Sequence, residues 1–338
     1  LGVLGQFLSG KIGVGATLAG LPANFFVYLL GAFVCGFSVC ILNTVVNPML
    51  NLLGGGGNRG NQLVQIGGTF NSTLGTLTPM LVGALIGTVT KDTAITDVNT
   101  VLYIAMGVFA VTFLILTFIP FVEPEQEKTD VSVKALLKYK HLVFGVIAIF
   151  VYVGVEVGIP GTLNFFLTDT LGTANAATTA GFVAGTYWFL MLIGRFVSSL
   201  ISGKVSSRTQ LAVTNAVAIA LVIAAMFTTE VQASMPVFTG TGFGMAQVPL
   251  TALLLVCCGL CTSVMWGTIF NLSVEGLGKY SALASGLFMT MVVGGGVLPL
   301  IQNAIADATS YMASYWVVVA ALAYMLWFAL FGSKVKKA

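Results

Sequence analysis

Charge is the scarcest property of this 338-residue chain: only 7% of its residues are Asp, Glu, Lys or Arg, against roughly 25% in an ordinary soluble domain. So few charges cannot clothe the water-facing surface of a fold this long, which excludes a soluble globular protein. Histidine is nearly absent, with a single residue in the chain, His141. A Ser–His–Asp set is therefore not expected, and neither clustered acids nor metal-ligand spacings appear in the apolar stretches, so no enzyme, metal or cofactor is expected. The net charge of +3 comes with no basic tract and no zinc-type spacing, which argues against a nucleic-acid partner. Cysteine is sparse as well. Cys258-Gly-Leu-Cys261 has redox-motif spacing, but inside an apolar run its residues read as small packing groups. The chain opens at Leu1 without Met or a signal-peptide n-region, and its first apolar stretch reaches Lys11 quickly. The start of the protein is accordingly expected upstream.

What the chain has in abundance is apolar length. Hydrophobic residues make up 57% of it, and a spanning helix needs about 20 mostly apolar residues in a row. Nine segments qualify: 24–50, 63–89, 100–121, 142–168, 175–203, 209–228, 249–274, 280–306 and 312–332. The fold class is all-α and integral to a membrane. Residues 122–141 interrupt the series with four acids, four lysines and the His. They read as a cytoplasmic linker carrying a short amphipathic helix around Val131–Lys140. The stretch 229–248, rich in Thr, Gly and Phe, reads as a longer outer loop. If the linker lies inside and sides alternate, 12 of the 14 basic residues fall on the inner side, and only Lys11 and Lys91 fall outside. The positive-inside rule predicts that bias.

Gly83-xxx-Gly87, Gly154-xxx-Gly158 and Gly181-xxx-Gly185 suit close helix packing. Gly158-Ile-Pro160-Gly161 and Gly294-Gly-Gly296 with Pro299 lie deep in spans and predict broken helices, which membrane proteins tolerate beside cavities. Glu156 is the one carboxylate well inside a span, at a depth where a charge costs about 2.5–3.5 kcal/mol on insertion scales. Such a group can hydrogen-bond a polar solute, carry a proton, or do both. Neutral amides occur on other spans: Asn43, Asn47, Gln65, Asn71, Asn164, Asn271, Gln302 and Asn303. Converging amides can replace the water around hydroxyl groups, and the nearby aromatics Tyr152, Trp188 and Trp266 offer apolar faces for a sugar ring. The alternative for each amide is a bond to a neighbouring helix. Arg195, Glu275 and Lys279 read as inner-end charges that hold a closure or anchor helices, with Glu275 and Lys279 as an i, i+4 pair.

These residues compose a pattern. Leu42-Asn-Thr-Val-Val-Asn47-Pro48 and Gly67-Gly-Thr-Phe-Asn71-Ser72 are followed by Tyr152-Val-Gly-Val-Glu156, Gly194-Arg195-Phe196, Thr268-Ile-Phe270, Glu275-Gly-Leu-Gly278, and Gly294-Gly-Gly296 through Pro299 to Asp307. In that order the set resembles the fucose–proton and glucose/galactose symporter family of the major facilitator superfamily, along nearly the whole chain. The resemblance implies twelve helices in two six-helix bundles, about nine of them complete here. The implied division is residues 1–121 for a partial N-terminal bundle, 122–141 for the linker and 142–338 for the C-terminal bundle. It also implies a monomer among lipids, in a bacterial inner membrane, that moves a sugar by alternating access. The implied contacts are Asn43, Asn71, Glu156 and Gln302, to which the residue reading adds Asn164, Trp266 and Asn303. Fucose symporters carry a glutamate at the Asn43 position, and glucose/galactose members carry a neutral amide. A hexose is thus expected, coupled to H⁺ through Glu156. Na⁺ coupling, an uncoupled facilitator of another polar solute (fucose, an amino sugar, a polyol), and a non-transporting receptor or scaffold are the competing readings.

Overall fold

The computed structural model describes residues 1–55, 57–86, 95–119, 133–172, 176–238 and 242–335. Most of the linker, Lys91, Gly87, Lys336 and Lys337 lie outside the described residues. Helices run where the apolar stretches predict them: α1 (Gly2–Leu8), α2 (Ala23–Leu53), α3 (Gly57–Ile86), α4 (Asn99–Phe118), α5 (Val133–Leu136), α6 (Lys140–Thr170), α7 (Ala176–Ile201), α8 (Ser207–Met226), α9 (Leu250–Thr262), α10 (Met265–Val274), α11 (Ser281–Thr290), α12 (Gly294–Ala308) and α13 (Tyr311–Trp327). Among the described residues, eight helices or helix pairs are long and apolar enough to cross a membrane. α3 is equally long and more polar, with Asn58, Arg59, Gln62 and Gln65 in its first half. Two ends are set by local chemistry. The Ser206 hydroxyl accepts from the Thr209 N–H at 3.1 Å, and the Ser310 hydroxyl from the Ala313 N–H at 3.1 Å. Each capping side chain satisfies an amide that its helix leaves unpaired.

The chain divides into two compact units, residues 1–45 with 75–129 and residues 46–74 with 130–338. In the first, α1 lies on α4, with the Phe7 and Tyr103 rings 5.1 Å apart. A two-strand ribbon, β1 (Thr17–Leu18) and β2 (Leu21–Pro22), leads into α2. α4 carries no buried residue, and Phe109, Phe113 and Phe118 all stand exposed on it. An apolar rod whose side chains stand this exposed among the described residues suits lipid as its solvent.

The second unit is built round α6, which packs against α7, α10, α12 and α13. Its buried side chains point in every direction, as a central helix requires. Close approach depends on missing side chains. A Cβ on Gly294 would overlap the Phe150 backbone, and one on Gly154 would overlap Leu298. Backbone cannot yield as a flexible side chain can. Gly294→Ala is therefore expected to destabilise the protein by about 1–3 kcal/mol, the range of overpacked cores, read as a lowered midpoint of thermal unfolding in detergent. Among the described residues nothing lies within 4 Å of a Cβ built on Gly181 or Gly185.

Three expectations change. α6 continues unbroken through Pro160: proline removes one N–H, and the packed neighbours hold the rest of the helix. Breaks do occur elsewhere, at Ser263–Val264 between α9 and α10 and at a 3₁₀ turn, Met291–Val293, before α12. The stretch 229–248 is no loop. It forms a hairpin of β3 (Gln232–Phe238) and β4 (Phe243–Pro249), with Met235 opposite Ala246 and Val237 opposite Gly244. Finally, α10 ends at Val274, and Gly276 and Gly278 take positive φ values of 74° and 52°, a backbone that suits glycine. Glu275 and Lys279 therefore share no helix face. The Glu275 carbonyl instead pairs with His141 Nε2 at 3.0 Å.

Candidate functional site

Glu156 sits midway along α6, four residues before Pro160, and its partner is Arg195 of α7. The Nη2–Oε1 distance is 3.4 Å, with both side chains largely buried at 10% and 14% exposure. Arg195, read from sequence as an inner-end charge, is buried beside Glu156. Ionisable residues at this depth pair with one another because each charge is costly alone. The arginine's other hydrogen bonds go to α3: Nη1 donates to the Ser72 hydroxyl at 2.7 Å and to the Gly68 carbonyl at 3.3 Å. Gly68 has no side chain, and the guanidinium end of Arg195 fills the space beside it. One cation therefore ties three helices together, and a planar fork of donors suits that task better than an ammonium.

Aromatic rings extend from this pair. Tyr152, one turn before Glu156, sets its ring edge-on to Trp266 of α10 at 6.2 Å; Trp266 meets Phe288 of α11 at 5.9 Å, and Phe288 meets Phe270 at 5.3 Å. The Tyr152 hydroxyl is buried beside the carboxylate, and among the described residues it makes no hydrogen bond of good geometry. On the α12 side, Gln302 presses its carboxamide oxygen against Gly158, and its Nε2 is buried without a partner among the described residues. Asn303 accepts from the Thr162 hydroxyl at 3.1 Å.

The remaining predicted residues scatter. Asn164 is half-buried on α6, and its side-chain oxygen accepts from Thr168 at 3.2 Å. Asn71 is exposed on α3 next to Ser72. Asn43 stands on α2 in the first unit. Gln65 and Asn271 are taken up by helix–helix bonds, with Gln65 Nε2 on the Val264 carbonyl and Asn271 joining Asn51 to Ser207. Ser72 and Gly68, and the pairing of Arg195 with Glu156, are what the residue reading missed. For Arg195 the available signal was a lone arginine behind glycine inside an apolar span. A cleft of about 410 Å³ at the hairpin is lined by Phe166, Thr170, Glu230, Gln232 and Gln247 among others. Glu156 and Arg195 take no part in it.

The arrangement, a buried acid held by a cation between helices with aromatic rings beside it, is that of a membrane protein handling a polar solute rather than of a hydrolytic or redox centre. Comparison with known proteins agrees. The "Glucose/galactose transporter" of Brucella abortus (strain 2308) is 29% identical over 341 residues, covering 98% of this chain and 78% of that protein. The "L-fucose-proton symporter" of Escherichia coli (strain K12) is 23% identical over 351 residues, covering 91% and 74%. In three dimensions the chain superposes on the crystal structure of the transporter FucP in the outward conformation, with a TM-score of 0.76 over 99% of this chain and 82% of that one, at 19% identity. That likeness shows the fold. Residues 6–296 match the Major Facilitator Superfamily, and with the apolar helices and the fold already described, this multi-pass integral membrane chain belongs to that superfamily.

Proposed function

We propose that the chain is a secondary active transporter that carries a hexose such as glucose or galactose across a bacterial inner membrane, driven by H⁺. The observation that supports it best is the buried Glu156–Arg195 pair at mid-helix. A group that can gain or lose a proton there changes the charge of a site already tied to three helices. The names of the relatives supply the substrate class: a glucose/galactose transporter and an L-fucose-proton symporter.

In this reading Trp266 offers its apolar face to the sugar ring, and Gln302 Nε2, buried and unpaired, donates to a hydroxyl. Asn71, Asn164 and Asn303 are further candidate polar contacts in the second unit, and Asn43 is one in the first. Glu156 carries the proton, while Glu275 and Lys279 act at the inner end. The two bundles are residues 1–121 and 142–338, rocking as a monomer in lipid about a site near the mid-membrane.

Uptake of labelled glucose and galactose into liposomes holding the purified chain, with an imposed pH gradient and a panel of competing sugars, tests the proposal. Accumulation that collapses with the gradient is the expected result; no movement of any sugar overturns it. Gln302→Leu is expected to raise KM for the sugar about tenfold, the loss of one good hydrogen bond to a polar substrate. The folded yield should hold, because the replacement is apolar and of similar size.

A further inference from the structure

The end of α2 and the first half of α3 are fastened to α7, α10 and the α9–α10 break by uncharged side chains, and Asn271 of α10 carries the chain on to α8. Asn51 Nδ2 donates to Asn271 Oδ1 at 3.0 Å, and Asn271 Nδ2 donates to the Ser207 hydroxyl at 3.0 Å. Gln62 Nε2 donates to the Ser199 carbonyl at 2.9 Å. Gln65 Nε2 donates to the Val264 carbonyl at 3.0 Å, at the break in the spanning helix. Asn51, Gln65 and Asn271 are all buried. All these residues belong to the second unit, at the end that the basic residues Arg59, Lys204 and Arg208 assign to the inner side. In their midst is an anomaly. Asn61 is fully buried, and among the described residues both atoms of its amide lack a hydrogen-bond partner. Its oxygen lies against Gly267, where an added Cβ would come within 3.0 Å of it and within 2.8 Å of Gln65 Nε2.

We infer that this amide cluster is a latch closing the inner side of the transporter, and that Asn61 is its built-in release element. Charged gates are expensive to bury and expensive to part. Amides bond almost as well to water as to each other. Each pair therefore shifts the balance between closed and open by about a factor of ten or less. Asn61 pulls the other way. Closed, its donors and acceptor are stranded; open, water satisfies them. A latch made of several modest bonds and one unmet demand sits near balance, as a repeatedly cycling gate requires. The inference rests on the transporter reading above.

The test is a reporter cysteine, Ser199→Cys, in the full chain with its five native cysteines replaced. Inside-out vesicles are treated with a membrane-impermeant maleimide. Residue 199 is buried while the latch is closed. Asn271→Leu, which strands Asn51 and Ser207, is expected to raise the labelling rate about tenfold, and Asn61→Leu to lower it by a similar factor. Gly267→Ala, which pushes on Gln65 and Asn61 without removing a polar group, should also raise labelling. It serves as the second probe if the Leu variants fold poorly. Equal labelling in all variants, or faster labelling in Asn61→Leu, overturns the latch. The labelling needs no substrate: if the rates shift as stated while the unsubstituted chain moves no sugar, the latch stands and the hexose reading falls.

Discussion

Glu156→Gln is expected to abolish sugar-driven proton uptake while leaving sugar counterflow in place. Glutamine has the shape of glutamate, and its Oε1 can still accept from Arg195, so the link between α6 and α7 survives. It cannot take up or give up a proton in any accessible range. Net uptake against a gradient needs that exchange, whereas counterflow needs only a site that alternates. Arg195 retains the Ser72 hydroxyl and the Gly68 carbonyl as partners, which limits the damage from the lost counter-charge. Proton uptake would be followed with a pH-sensitive dye in lightly buffered vesicle suspensions on adding sugar, and counterflow in the same preparation with labelled sugar. Proton movement equal to that of the unsubstituted chain would reject Glu156 as the carrier and shift the search to the other helices.

Arg195→Met should be the most damaging single change to folding. It leaves a carboxylate buried without its cation, and removing one partner of a buried pair typically costs about 3–5 kcal/mol. The lower end is expected, because Glu156 can be neutralised by protonation. Two contacts to α3 are lost at the same time. Combining Glu156→Gln with Arg195→Met removes both charges, and the pair should recover most of the thermal stability that the arginine change alone destroys. A double variant no better than Arg195→Met would show that the guanidinium acts through α3 and not through the acid. Arg195→Lys should also transport poorly, since a single ammonium cannot serve the carboxylate, the hydroxyl and the carbonyl with the same fork geometry.

The spans were legible because the bilayer imposes one rule of length and polarity, and runs such as 100–121 satisfy it without reference to any neighbour. Glu156 was legible for the converse reason, as a charge where that rule forbids one. Its counter-charge was not. Arg195 lies 39 residues away on another helix, and only the rotation of α7 about its axis decides whether it meets the acid or the headgroups. The amides illustrate the same limit. Gln65 and Asn271 look in sequence like Gln302, yet the first two are spent between helices and the third keeps a free donor. The hairpin was readable and passed over. Met235 and Val237 are buried while Ser234 and Pro236 are exposed, an alternation of period two. A proline inside the run and the glycines beyond it disguised the strand as a loop. The continuity of α6 through Pro160 depended on packing that sequence does not display.

The neutrality of the Glu156–Arg195 couple has an electrical consequence. While both are ionised they sum to zero, and the voltage across the membrane exerts no net pull on the site. Add a proton and the couple becomes a cation, which a potential negative inside draws inward. A full charge crossing the whole field gains about 2.3 kcal/mol per 100 mV. In a proton-driven cycle, then, voltage does its work on the loaded carrier, and the empty one resets without opposing it.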